Sequence, residues 1–140
     1  MYQFKYVKVD KNIPDLMRGT EKSAGIDLYS VNDLVIEPGS SGIVNCGIKA
    51  EIPEGYFGHV TIRSGHGFKS DLASHIGVID SDFRNDFMVK IFNLSKVPFH
   101  ITAYSRVANL VIVPYLMTIP FEVDSLSETD RTGGFGSTGK

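Results

Sequence analysis

Short apolar runs, interrupted by turn residues at close intervals, constrain this chain more than any other feature of its sequence. Residues typical of turns occur at positions 38–39, 53–55, 64–65 and 93–95. No stretch carries apolar residues at the 3.6-residue helical period for more than a turn or two. This even punctuation predicts an all-β sandwich or barrel of many short strands. The runs rich in β-branched and aromatic residues are 34–37, 42–52, 56–62, 87–92, 107–115 and 118–123.

Length and composition fit one domain followed by a short tail. The chain has 140 residues, of which 42% are hydrophobic and 21% charged, so it can bury a single core. We expect one all-β domain over residues 1–129. Residues 130–140 are DRTGGFGSTGK, and their glycines predict a flexible arm. The N-terminus has no apolar leader and no run is long enough to span a bilayer, which predicts a cytoplasmic protein.

Charge and cysteine content exclude several classes of function. The net charge is −2, so we expect no nucleic-acid or membrane partner bound through a broad basic surface. A polyanionic ligand would have to be small and held by a few placed groups. The chain has one cysteine, Cys46, which rules out a disulfide framework and a cysteine-rich zinc site. Its four histidines have no metal-binding spacing.

Two clusters combine small residues with charge. In SAGIDLYS, Gly25 permits close backbone approach and Asp27 presents a carboxylate between apolar neighbours. Taken alone, a turn aspartate bonded to its own backbone is the favoured interpretation of Asp27. In TIRSGHGFKS, Arg63, the hydroxyl of Ser64 and the N–H groups of a glycine turn at Gly65 form a combination that binds phosphate. An ordinary polar turn that closes a strand is the alternative.

Two further clusters accompany apolar runs. In GVIDSDFRND, Val78 and Ile79 predict a buried strand that delivers Asp80 to its end, where a carboxylate is a candidate general base. A tight hairpin with aspartates chosen for turn chemistry is the alternative. In SRVANLVIVPY, a central strand with Arg106 in a structural ion pair and a functional role for Arg106 both stay open.

The order of these clusters is more specific than any one of them. AGIDL, RSG, GVIDSDFR, RVANL and GGFGSTG occur in this order between about Ser23 and Gly139, and together they resemble the five motifs of the homotrimeric dUTPases. The resemblance implies a jelly-roll-like all-β subunit of the β-clip type, in a trimer whose active sites draw on all three chains. It implies hydrolysis of dUTP to dUMP and pyrophosphate with Mg²⁺ as cofactor, which limits uracil incorporation into DNA and supplies dUMP for thymidylate synthesis.

The resemblance also implies roles for single residues. Asp80 matches the base that activates a water for attack on the α-phosphorus, and Asp27 matches the carboxylate that orients Mg²⁺ through bound water. Backbone groups of the hairpin around residues 74–88 would read uracil. The residues matched to phosphate binding are Arg63, Ser64, Gly65, Asn109, Arg131, Ser137 and Thr138. The residues matched to uracil or deoxyribose binding are Gly77, Phe83 and Phe135.

The chain departs from the family pattern at a few positions. Phe83 takes a place that is usually tyrosine, and its ring would still lie against the deoxyribose and exclude a 2′-hydroxyl. Asn109 replaces the usual glutamine and is one methylene shorter, while Asn85 stands where glycine is common. Arg131 lies one residue closer than usual to Phe135. Since the family's C-terminal arm closes over a neighbouring chain's site, we expect the tail to act as a lid.

Two other functions are compatible with this fold. Deoxycytidine triphosphate deaminase shares it, but that chemistry usually has glutamate in the third motif, where this chain has Asp80. Some proteins of the fold regulate a protein partner through direct contacts, with or without catalysis. The retained Asp80 and the complete GFGSTG tail favour the pyrophosphatase.

Overall fold

Alternation of apolar and polar residues produces a succession of short strands. In the strand Met88–Asn93, for example, Val89 and Ile91 are buried, whereas Met88 and Lys90 are exposed. The computed structural model describes residues 3–135, which contain eleven strands and one short helix, so the predicted all-β class is confirmed. The elements are β1 (Lys5–Lys8), β2 (Ile26–Tyr29), β3 (Leu34–Ile36), β4 (Ser41–Asn45), β5 (Ile48–Glu51), β6 (Tyr56–Ile62), α1 (Ser64–Ser70), β7 (Leu72–Ser74), β8 (Gly77–Ile79), β9 (Met88–Asn93), β10 (Phe99–Ile101) and β11 (Arg106–Pro114).

The strands pair into two main sheets and two ribbons. The larger sheet has the order β2-β11-β6-β8, and the smaller one has the order β4-β9-β7. The ribbons are β1-β5 and β10-β3. Every pairing within residues 3–135 is antiparallel. Because sequence neighbours such as β8 and β9 belong to different sheets, the loops between them cross from one sheet to the other.

One core lies between the elements. Both main sheets contribute to it, with Leu28 and Leu110 from the larger sheet and Val89 from the smaller one, and the fully buried Phe87 joins it from the loop before β9. Full burial of an aliphatic or aromatic side chain of this size stabilises the fold by about 1.5–3 kcal/mol. Cys46 is also buried, as expected for a structural cysteine, and burial raises the pKa of its thiol to about 12.

Three sequence predictions of local structure need correction. Residues 42–52 form two strands, because the backbone of Gly47 has φ +65 and an added Cβ would lie 2.4 Å from Val31 Cγ1. The run at 118–123 forms no strand, and it is exposed, with Ile119 at 91% exposure. Since no strand of the described chain lies beside it, the run has no edge with which to pair.

The predicted turn at Ser64-Gly65 is instead the start of α1, and Arg63 is its N-cap residue with an extended backbone. The sequence of this helix is rich in glycine and polar residues, so tertiary contacts must stabilise it. His66 supplies two of them, an edge-on ring contact to Phe99 at 5.4 Å and a hydrogen bond of 3.2 Å between Nε2 and the Arg106 carbonyl. Among residues 3–135, no helix is long and apolar enough to cross a membrane.

Candidate functional site

Four of the predicted phosphate residues meet at one cavity, which we call the helix-side cavity. It has a volume of about 510 Å³ and lies where β6 ends and α1 begins, against the exposed face of β11. The structure therefore brings the second and fourth sequence motifs together. The residues that line it are Arg63, Ser64, Gly65, His66, Lys69, Ser70 and Asn109.

Beside this cavity, Asp27 is buried in an ion pair with two arginines. Asp27 lies in β2 and is 3% exposed. Its Oδ1 is 3.2 Å from Arg63 Nε, and its Oδ2 is 3.2 Å from Arg106 Nη1. The interpretation of Asp27 as a turn residue is therefore wrong, whereas an ion pair of Arg106 at the start of a central strand is confirmed.

The ion-pair cluster has a direct chemical consequence for the helix-side cavity. Two guanidinium groups against one carboxylate leave a net positive charge, and Lys69 adds another at the cavity wall. Because Arg63 uses Nε for Asp27, its two terminal nitrogens remain available to an anion. A planar guanidinium held from one side is well suited to bidentate phosphate recognition.

Asn109 is held in the same cavity by close packing. It lies opposite Asp27 on β2 and opposite Thr61 on β6, so the three side chains share one face of the sheet. A Cβ added to Gly25 would lie 3.0 Å from Asn109 Cβ and 3.1 Å from Nδ2. The small residue in the AGIDL motif thus permits the close approach that the sequence predicted. The buried Asn109 Oδ1 has no hydrogen-bond partner among the described residues, and it is therefore a polar group that a ligand or water can satisfy.

A second cavity, the loop-side cavity, contains the predicted deoxyribose residue. It has a volume of about 570 Å³ and lies beside the loop that joins β8 to β9. Phe83 is half-buried there, with its ring 6.2 Å from that of Phe87. Sequence reasoning did not single out Lys49, Asp86 or Met88, since nothing in their local sequence marks them. The residues that line it are Lys49, Ile79, Phe83, Asn85, Asp86 and Met88.

Asp80 follows the last residue of β8, as the sequence predicted, and its side chain is exposed. The Asp80 carbonyl accepts a hydrogen bond of 3.2 Å from Phe83 N–H, which closes a turn. The strand before it is only partly buried, because Ile79 lies in the core but Val78 is 60% exposed. Gly77 begins β8 and lies opposite Val60.

The segment 74–88 starts and ends on paired strands, because β7 and β9 are antiparallel partners with Ser74 opposite Ile91. Its interior is not a simple two-stranded ladder. β8 pairs with β6 of the larger sheet, whereas β9 pairs with β4 and β7 of the smaller one. Residues 80–87, which we call the substrate loop, therefore bridge the two sheets.

Within one chain, the two cavities lie at opposite ends of β6. Ile79, the residue before Asp80, pairs with Gly58, whereas Arg63 follows the other end of the strand. The stretch from Gly58 to Arg63 is about 16 Å long at the usual strand rise. A single chain thus presents the predicted phosphate residues and the predicted nucleoside residues as separate halves.

The C-terminal residues that the sequence predicts to bind substrate lie partly outside the described range. Arg131 is exposed, and its Nε donates a hydrogen bond of 2.9 Å to the Gly133 carbonyl. Phe135 is fully exposed. The structure therefore does not bring Arg131 or Phe135 to either cavity of the same chain. Ser137 and Thr138 lie outside the described range.

The described side chains offer few ligands for a metal ion. Among residues 3–135, no group of three or more histidine, cysteine or acidic side chains is placed to hold a metal. Asp27 is the carboxylate nearest to the predicted phosphate residues, and each of its oxygens already accepts from an arginine. Each oxygen retains a further acceptor position for a water molecule. The residues present thus fit a hydrated Mg²⁺ that arrives with its own phosphate ligands, and they do not form a cage.

Comparison with known proteins gives consistent matches. A sequence model of the dUTPase family matches residues 11–139. The chain is 40% identical over 124 residues to the deoxyuridine 5'-triphosphate nucleotidohydrolase of Nautilia profundicola, covering 86% of this chain and 87% of that protein. Its fold is similar to that of the Staphylococcus bacteriophage 80alpha dUTPase with dUPNHPP, with a TM-score of 0.92, 26% identity and 99% of each chain covered. It is also similar to a mutant dUTPase from phage phi11 of S. aureus that coordinates a structural Mg(II) ion, with a TM-score of 0.84, 23% identity, and 91% of this chain and 100% of that chain covered.

Proposed function

The chain belongs to the dUTPase family and as a member hydrolyses dUTP; we propose that it does so by attack of water on the α-phosphorus, releasing dUMP and pyrophosphate. The observation that carries this proposal is the helix-side cavity, where Asp27 orients Arg63 beside the exposed N–H groups at the start of α1. Such a site favours a small polyanion over a neutral ligand. A nucleoside triphosphate is an anion of this kind.

The triphosphate is held by groups from the end of β6, from the start of α1 and from β11. Arg63 offers its terminal nitrogens, Ser64 its hydroxyl and backbone N–H, and Asn109 its amide. Although Asn109 is one methylene shorter than the glutamine usual at this position, it lines the cavity, where its amide can form a hydrogen bond with a phosphate oxygen. Fixing the phosphate chain in this way aligns the α-phosphorus for in-line attack, which is a large part of catalysis in phosphoryl transfer.

Asp80 acts as the general base, and Phe83 selects the sugar. An exposed carboxylate at a strand end is free to accept a proton from water, because no other side chain of the described residues bonds to it. The Phe83 ring at the wall of the loop-side cavity would clash with a 2′-hydroxyl. Backbone groups of segment 74–88, including Gly77, read the uracil base.

A complete site forms only between copies of the chain. The two cavities of one chain lie at opposite ends of β6, which supports a site shared between copies. As the resemblance to the family implies, we assign the active site to a homotrimer in which the helix-side cavity of one copy faces the loop-side cavity of another. The arm of residues 130–140, with Arg131, Phe135, Ser137 and Thr138, closes over the bound nucleotide and excludes water.

We assign Mg²⁺ as the cofactor, and when bound with the triphosphate it would neutralise charge on the phosphate oxygens. Asp27 would accept hydrogen bonds from the water molecules of such an ion, while Arg63 and Arg106 hold the carboxylate in place. Removal of Mg²⁺ with a chelator should therefore lower activity and leave the fold unchanged, since the ion contributes to the substrate and not to the core.

A panel of nucleotides tests the function. The purified protein is incubated with dUTP, UTP, dCTP or dTTP in the presence of Mg²⁺, and pyrophosphate and ammonia are measured. We expect pyrophosphate from dUTP alone and no ammonia from any of the four. Ammonia from dCTP would identify a deaminase. The absence of product from all four nucleotides would leave a binding function and contradict the proposal.

A further inference from the structure

Lys49 and Asp86 form an ion pair at the wall of the loop-side cavity. The distance from Lys49 Nζ to Asp86 Oδ1 is 3.6 Å, and both side chains are partly buried. Lys49 belongs to β5, whereas Asp86 lies in the substrate loop, two residues before Met88. The pair thus connects a strand of the scaffold to the loop that carries Asp80 and Phe83.

The C-terminal end of the substrate loop is attached by backbone hydrogen bonds to β5 and to the residues just before it. Phe87 N–H donates to the Ile48 carbonyl at 3.0 Å, and Cys46 N–H donates to the Phe87 carbonyl at 2.8 Å. Phe87 itself is 1% exposed. Asp86 directly precedes Phe87 in the loop. The Lys49–Asp86 pair therefore extends this attachment toward the exposed part of the loop.

The neighbouring charges leave Lys49 to pair with Asp86. On the same ribbon, Glu51 is already paired with Lys5 at 3.1 Å. Arg84 is directed into the loop, where its Nη1 donates to the carbonyls of Ser81 and Phe83 at 2.8 and 2.9 Å. Lys49, Lys5, Glu51 and Arg84 all line one cavity of about 330 Å³ on the other side of Lys49.

Lys49 therefore forms a wall between two cavities. One is the loop-side cavity with Phe83, and the other is the charged groove beside β1. A distance of 3.6 Å is longer than a hydrogen bond, so the attraction acts mainly through charge. Such an attraction holds the loop near β5 without fixing its geometry, and it responds to salt.

We propose that Lys49 is a positioning residue, which holds Asp86 and thereby keeps the Phe83 ring close enough to exclude a ribonucleotide. This inference rests on the proposed dUTP hydrolysis, because it concerns the selectivity of that reaction. Loss of the pair lets the outer part of the substrate loop move away from β5 and widens the loop-side cavity. UTP then gains access, while the phosphate residues at the other end of β6 are unaffected.

The test compares kcat/KM for dUTP with that for UTP. In Lys49→Met and in Asp86→Asn, we expect the dUTP preference to fall about two- to fivefold, which corresponds to the strength of a partly exposed ion pair. The charge-reversed double variant, Lys49→Asp with Asp86→Lys, should restore much of the preference. Raising the salt concentration should lower the preference of the unaltered protein and leave that of Lys49→Met unchanged.

Two further variants make the result interpretable. Lys5→Met removes a similar ion pair from the same ribbon but outside the loop-side cavity, and it should keep the full preference. Phe83→Ala removes the ring itself and gives the largest fall in dUTP preference that the loss of this contact can produce. A thermal melt of each variant identifies any loss of folding, and the Asp86→Asn variant tests the pair again from the loop side.

Each outcome bears on the inference. An unchanged preference in both Lys49→Met and Asp86→Asn overturns it, as does a double variant that restores nothing. An equal fall in kcat/KM for both nucleotides also overturns it, since that indicates general loosening. Failure of the unaltered protein to hydrolyse dUTP would overturn the proposed function as well, whereas hydrolysis with an unchanged preference overturns this inference alone.

Discussion

Two aspartates of this protein illustrate two ways in which a fold uses a carboxylate. Asp27 is 3% exposed, lies within a strand and accepts a charged hydrogen-bond donor on each oxygen. Asp80 lies just beyond a strand end and is exposed to solvent. The first is fixed by its neighbours, and the second depends on the shape of the loop that it begins.

The difference separates holding a substrate from reacting with it. A buried carboxylate that accepts a charged hydrogen-bond donor on each oxygen is fixed in position and orients the groups that bind phosphate. An exposed carboxylate keeps free lone pairs and can accept a proton. We therefore expect substitutions at the two positions to have different effects. Substitution of Asp80 should lower turnover, whereas substitution of Asp27 should lower both the stability of the fold and the affinity for substrate.

The largest expected effect is that of Asp80→Asn on turnover. The amide has nearly the same shape but cannot accept the proton of the attacking water, so kcat should fall by a factor of about 10²–10⁴. Binding of a non-hydrolysable dUTP analogue and the thermal midpoint should stay close to those of the unaltered protein. Asp82→Asn, two residues along the same exposed turn, is the matched control and should retain most of the activity. Near-normal turnover in Asp80→Asn would remove Asp80 from the mechanism.

Asp27→Asn should give a smaller loss of activity together with a loss of stability. A neutral amide leaves Arg63 and Arg106 facing each other without a countercharge. Because both arginines are partly exposed, we expect a cost of about 2 kcal/mol, below the range for fully buried pairs, and a rise in KM for dUTP. Chemical denaturation and steady-state kinetics measure the two effects.

The control for Asp27→Asn is Asp15→Asn. Asp15 is also paired, at 2.8 Å from Lys8, but its side chain is 85% exposed. Removing a surface pair of this kind should leave the unfolding free energy close to that of the unaltered protein. Equal destabilisation by the two variants would show that the buried position of Asp27 does not matter.

A further prediction, which leaves activity unaltered, concerns the attachment of the substrate loop as reported by Cys46. Burial raises the pKa of this thiol from 9.0 to about 12, so at pH 8 the native protein should react with a thiol reagent about a thousandfold more slowly than the denatured protein. Between about pH 9 and pH 12 the unfolded thiol loses its proton and the folded thiol keeps it, so the unfolding free energy should fall.

Reaction at the denatured rate would show that the loop opens freely. The Cys46 backbone is bonded to Phe87, at the base of the loop, so an opening there exposes the thiol. Comparing the labelling rate with that of global unfolding, measured in the same buffer, distinguishes local opening from full unfolding.

Much of the fold could be predicted from local sequence. Runs such as 56–62 and 107–115 became β6 and β11 almost without change, because their β-branched residues and flanking turns are local properties. The position of Asp80 at a strand end followed from the same pattern. The close approach at Gly25 also followed, since only the smallest residue allows it.

Features that depend on distant partners could not be predicted. Whether Asp27 is a turn residue or a buried ion pair depends on Arg63 and Arg106, which are far away in the sequence. The glycine-rich α1 forms because His66 contacts β10 and β11. The run at 118–123 has strand composition, but no strand among residues 3–135 pairs with it, so composition alone led to a wrong prediction.

The crossing of the substrate loop from one sheet to the other also affects the kinetics of folding. β8 requires β6, and β9 requires β4 and β7, so the ends of the loop are in place only after both sheets have assembled. Contacts between residues far apart in the sequence form slowly, since their loop-closure entropy is lost before the contacts stabilise the chain. The part of the active site that binds the nucleoside therefore forms late in folding. Partly folded chains exist in which the residues that select deoxyribose are not yet in place.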